Sequence, residues 1–289
     1  MRRAFFSTVP LVLLVFAAVL YLGVPYEAVA GYPLDPSRSY LSELAAADQP
    51  FAPLFRFLDG SAGVLTAIAA ALLLFASPRW PLRVPIAGLG VFGLGTLADV
   101  VFPMACASSA SAVCARADAA GTLGIAHQVH TVTSVIALLG GVVAVVSLVV
   151  LVHRTGVQPA RTRFLATAGA ALLIGATAAI SVVALASTAE GTLPPGAGYV
   201  QRLQTVLLSV FLACFVPLTR AVLRASGTPP RRPRRGTGAH RPPAARSSLE
   251  FAGAPDPDAP DSHSHAPDVP SSAGRSVRMA RRIRDGSSA

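Results

Sequence analysis

The chain has 289 residues, 53% of them hydrophobic and only 13% charged; soluble domains carry nearer ~25% charged residues, so a large water-soluble core is excluded. All 24 basic residues are arginine, giving a formal net charge of +10 against 14 acids. Twelve of these arginines lie from Arg224 onward, so the basicity belongs to a tail and no nucleic acid is expected as a partner.

A membrane span needs about 20 mostly apolar residues at 1.5 Å rise each. Six stretches qualify: Phe5 to Gly23, Asp59 to Ser77, Val84 to Phe102, Val129 to Val152, Phe164 to Ser187 and Tyr199 to Val222. They predict an all-α, polytopic membrane protein with six transmembrane helices over residues 1–223. The first stretch has a rival reading, because "MRR", an apolar run and "AVA" at Ala28 to Ala30 resemble a cleaved signal peptide. Its apolar run exceeds the typical signal core of about 7–15 residues, so it is read as a span.

The connections alternate in charge. Arg2, Arg3, Arg79, Arg83, Arg154, Arg161, Arg163, Arg220 and Arg224 fall on one side, with no acid before the tail. The opposite loops hold Glu27, Asp35, Glu43, Asp48, Asp118 and Glu190 against Arg38, Arg56 and Arg116. The positive-inside rule makes the arginine side cytoplasmic, so both termini are expected inside and the protein in the plasma membrane, with lipids as its partners.

In chain order, "PSRSYLSELAAADQP" at residues 36 to 50 reads as an outer loop in which Ser39 or Ser42 caps a short interfacial turn, with Tyr40 and Leu41 dipping toward lipid. It is either a plain surface loop or a lid supplying Glu43 or Asp48 to a pocket. The third span carries Asp99, whose carboxylate costs about 2.5–3.5 kcal/mol at a bilayer centre. It lies only about one turn, roughly 5 Å, beneath the surface, which lowers that cost. Gly95 and Gly88 below it let a neighbouring helix approach closely.

Cys106 and Cys114 follow in a loop facing the oxidising side, with seven small or polar residues between them, a length that lets the two sulfurs meet in a disulfide. "AHQVHTVTS" then opens the fourth span, placing His127, His130 and Ser134 at i, i+3 and i+7 on one face. On the fifth span, Ala171, Gly175 and Ala179 suit close packing. Arg202 heads the sixth, and Cys214 within it acts as a small apolar residue. Beyond residue 223, the Pro, Ser and Arg content of 224–289 cannot form a packed core. It reads as a disordered cytoplasmic tail beside the anionic inner leaflet.

Asp99, His127, His130, Ser134, Arg202 and Glu43 therefore compose a candidate outward-facing polar pocket for a lipid headgroup or small envelope molecule. The alternative at these residues is an interhelical network that only fixes packing.

"SYLSELAAADQP", "LADVVFPMAC" with the later Cys114, and "HQVHTVTS", in that order, resemble a family of bacterial membrane proteins catalogued as domain of unknown function 998. The resemblance covers about residues 1–222 and excludes the tail. It implies a multi-pass helical membrane protein and transfers no established activity.

A second, partial resemblance is to the alkaline ceramidase and progestin-receptor-like superfamily, whose sites combine Ser, Asp and three His around zinc. It implies a metal-dependent intramembrane hydrolase with Asp99, His127 and His130 as zinc ligands and Ser134 or Ser42 beside them. That superfamily has seven spans and a late His pair, whereas no His occurs in the fifth or sixth span here. Under the binding reading no cofactor is expected.

Overall fold

The apolar stretches close their backbone hydrogen bonds within each segment, as a chain in hydrocarbon must. The computed structural model describes residues 2–76, 80–156, 158–187 and 194–227. In chain order the elements are α1 (Arg2–Tyr21), α2 (Val24–Val29), a 3-10 turn (Leu41–Ala45), α3 (Ala52–Ala76), α4 (Trp80–Val101), α5 (Ala112–Ala119), α6 (Ile125–Thr155), α7 (Ala160–Ser187) and α8 (Ala197–Gly227). No strand occurs among the described residues. Of the tail expected over 224–289, residues 224–227 instead continue α8 as helix, and the rest, with Glu190 and Arg79, lies outside the described residues.

Helices α3, α4, α6, α7 and α8 are long and apolar enough to cross a membrane. The shortest, α4, has 22 residues, about 33 Å of helix against a hydrocarbon core of about 30 Å. Helix α1 has 20 residues, and its apolar part, Thr8–Tyr21, is shorter than these five.

Helix α4 is clamped between α3 and α6, and glycine makes this possible. A Cβ on Gly93 would stand 2.8 Å from the Ala67 backbone nitrogen, and one on Gly88 would stand 2.8 Å from that of Ala144. The expected role of Gly88 and Gly95 is thus met, since Gly95 abuts Ala137 in the same way. Leu14 and Ala17 of α1, Ala69 of α3, Ile86 and Leu89 of α4, Leu148 of α6, Leu173 of α7 and Phe215 of α8 fill one shared core.

Helix α7 departs from its expectation. Ala171, Gly175 and Ala179 are exposed, and the buried face is Ala170, Leu173 and Ala176, because α6 and α8 both lie on that side.

The chain order sorts the charges. All seven acids among the described residues lie in the half of the bundle that carries the Cys106–Cys114 bridge, whereas Arg83, Arg154, Arg161, Arg163, Arg220 and Arg224 lie at the opposite end.

Two short helices shape the disulfide end. After α1 stops, Gly23 takes a left-handed conformation (φ 68°) that only glycine adopts freely, and the chain turns back through α2, carrying Glu27 inward. Helix α5 forms within the disulfide loop, capped where the Ser111 hydroxyl accepts the Cys114 N–H at 3.3 Å. The 3-10 turn corrects another expectation: Leu41 packs into protein with Leu44, Phe55 and Leu58 and does not dip into lipid.

Candidate functional site

At the disulfide end the loops are tied to one another by buried polar groups. Arg202 grips Glu27 through Nε and Nη2, with Nε to Oε2 at 2.8 Å. Its Nη1 donates to the carbonyls of Pro36 (3.0 Å), Ser39 (2.8 Å) and Gly198 (3.0 Å). Glu43 accepts the backbone N–H groups of Tyr40 and Ser109, each at 2.8 Å. Burial pushes the Glu43 carboxyl above its usual range even against these hydrogen bonds, and burial likewise lifts the Tyr40 hydroxyl to about 12. Asp48 accepts the Ala107 N–H at 3.1 Å, and the Ala47 N–H meets the Met104 carbonyl at 2.9 Å. The segment 36–48 is therefore fastened to both the disulfide loop and the head of α8.

The six residues expected to share one pocket are divided among four places. Asp99, His130 and Ser134 come together: Ser134 donates to Asp99 Oδ2 at 2.9 Å, Thr133 donates to Oδ1, and His130 Nδ1 stands 3.9 Å from Oδ1. That same Nδ1 lies 3.1 Å from the carbonyl oxygens of Asp99 and Phe102. Two acceptors at this distance assign it the proton.

His127 lies elsewhere. Its Nδ1 accepts the Ala105 N–H at 3.3 Å, so Nε2 carries the proton toward Asp118 Oδ1 at 3.0 Å. Helix α5 brings Asp118 to it, which explains why His127 and His130 part company despite sharing a helix. Arg202 faces Glu27, and Glu43 faces the loops. Among the described residues no three of His, Cys, Asp and Glu are gathered for a metal, so Asp99, His127 and His130 do not form one ligand set.

Asp59 was not singled out from the sequence. It sits two turns into α3 because that helix begins at Ala52, seven residues before the span expected from hydropathy. It lines a cavity of about 80 Å³ with Tyr21, Ser42, Gln201, Gln204 and Thr205, room for several waters at ~10–15 Å³ of probe volume each. Gln201 accepts the Leu41 N–H, and Gln204 donates to Thr177 at 2.9 Å. Asp59 makes no hydrogen bond or ion pair among the described residues. The signal available in the sequence was the i, i+3, i+4 set of Gln201, Gln204 and Thr205, a polar face on an otherwise apolar helix.

A model of the family described as "Protein of unknown function (DUF998)" matches residues 14–216. The chain belongs to the DUF998 family. No curated protein and no solved structure matches it. The region shared with DUF998 takes in the Asp99 cluster, the Glu27–Arg202 pair, the disulfide and the Asp59 cavity. Within this DUF998 chain the polar groups fall into two chemical kinds. Asp99, Glu27, Glu43 and His127 are held by protein partners and act as fasteners, while Asp59 has no hydrogen bond among the described residues and lines a cavity.

Proposed function

We propose that this DUF998 member is a six-span plasma-membrane protein, α1 being the sixth span, with its disulfide end outside. Its cavity between α1, α3 and α8 receives the polar head of a lipid or small envelope molecule. The single observation that carries the binding reading is Asp59: a carboxyl group lining an 80 Å³ cavity with no hydrogen bond or ion pair among the described residues. A half-buried carboxyl group with no protein partner among the described residues, within an apolar bundle, favours a ligand that brings an ammonium or hydroxyl donor. All seven described acids lie toward the bridged end, where they accompany Arg38, Arg56, Arg116 and Arg202, whereas the opposite end carries arginines and no described acid; this supports the threading, because thiols oxidise outside and acid-free arginine loops favour the cytoplasm. On that threading the arginine-rich chain beyond residue 227 borders the anionic inner leaflet.

The test is mass spectrometry of small molecules that copurify with wild type and with Asp59→Asn. A species bearing an ammonium or hydroxyl headgroup, present in wild type and depleted in the variant, is the expected result. Identical small-molecule content in the two proteins overturns the reading. Threading is tested separately: after reduction, Cys106 and Cys114 on intact cells should react with a membrane-impermeant maleimide.

A further inference from the structure

A second recess lies on the other side of α3. A groove of about 510 Å³ runs between α3 and α4, lined by Arg56, Phe57, Gly60, Val64, Leu65 and Leu97. Its volume is that of an ordinary ligand site. The floor is low at Gly60, where an added Cβ would meet only Val100 methyls at 3.6 Å or more. Phe57 is 66% exposed and Val64 39% exposed, so the groove opens away from the protein core. From Arg56 to Val64 it follows eight residues of helix, about 12 Å.

Arg56 stands at the end of this groove nearest the disulfide. Its Nε donates to the Ala45 carbonyl at 2.8 Å, yet its Nη2 is buried and has no hydrogen-bond partner. The acids around it are engaged elsewhere: Glu43 with Ser109 and Tyr40, Asp48 with Ala107, Asp99 with Thr133 and Ser134. Asp59, three residues on, lines the cavity on the opposite side of α3 and forms no ion pair with Arg56. A planar guanidinium whose Nη2 has no protein partner among the described residues, at the disulfide end of an apolar trough, matches an anion that carries a hydrocarbon chain.

We infer that this groove holds an anionic phospholipid, with its phosphodiester on Arg56 and the first part of an acyl chain lying over Gly60 toward Val64 and Leu97. The site is separate from the Asp59 cavity and does not depend on that cavity binding anything.

The experiment is native mass spectrometry of the full chain in detergent, titrated with phosphatidylglycerol and, separately, phosphatidylcholine. Wild type should retain phosphatidylglycerol about tenfold better, the scale of one charge-assisted hydrogen bond. Arg56→Gln should bring the two lipids level. Gly60→Leu fills the trough while keeping the Arg56 bond to Ala45, and should weaken phosphatidylglycerol retention to a similar degree. Asp59→Asn should leave the preference intact. Equal retention of the two lipids by wild type, an unchanged preference in Arg56→Gln, or unchanged phosphatidylglycerol retention in Gly60→Leu, overturns the inference. Should Arg56→Gln not fold, Gly60→Leu decides alone.

Discussion

Arg202 on α8 closes a two-pronged ion pair on Glu27 of α2, 175 residues earlier, and Glu27 is wholly buried beneath it. Breaking such a pair leaves a charge without its counterion, which costs about 3–5 kcal/mol. Glu27→Ala and Arg202→Ala should each lower the melting midpoint in detergent steeply. The double variant should cost less than the sum of the two, as measured by a thermal double-mutant cycle.

The bridge between Cys106 and Cys114 closes a loop of sequence separation 8, with α5 starting inside it. Cys106→Ser with Cys114→Ser should cost about 2.5 kcal/mol on the chain-entropy account. Loosening α5 should also free His127 from Asp118, visible as faster hydrogen exchange across residues 112–127.

Gly88→Ala tests the clamp on α4. The new Cβ would sit 2.8 Å from a backbone nitrogen of α6, and overpacking of this kind costs about 1–3 kcal/mol. Gly60→Ala is the control, since its Cβ finds only side-chain methyls at 3.6 Å or more, and its midpoint should stay within error of wild type.

Glu43 imposes a pH dependence. Burial raises its folded value above the ordinary 4.5, so the folded state binds the proton more tightly. The resulting stabilisation is present below 4.5 and is lost as pH climbs through the folded value. Wild type should therefore be more stable relative to Glu43→Gln at about pH 4 than at neutral pH, read from melting midpoints of both proteins.

Much of the fold is legible in hydropathy. Five of the six expected apolar stretches fall on helices long and apolar enough to cross a membrane, the first falls on α1 with its shorter apolar part, and the acid-bearing loops share the disulfide end. Two things resist such reading. Hydropathy starts a span where polar residues stop, so it places Asp59 at a boundary, whereas the helix runs seven residues further and carries that carboxylate inward. Pairing at the disulfide end is also a matter of three dimensions. Arg202 had several acids within plausible reach, and only the Gly23 turn into α2 selects Glu27. Likewise the i, i+3 spacing of His127 and His130 places them on one face, but α5 supplies Asp118 to the first and the end of α4 supplies carbonyls to the second.

The grip of Arg202 on Glu27 has a bearing on biosynthesis. Glu27 leaves the ribosome long before its counterion does, so until α8 is made the nascent protein carries an orphan carboxylate beside its first helix. The Arg202 bonds to the Pro36 and Ser39 carbonyls can consequently form only once α8 has been made. Any prematurely terminated product lacking α8 exposes that acid as a mark of incompleteness.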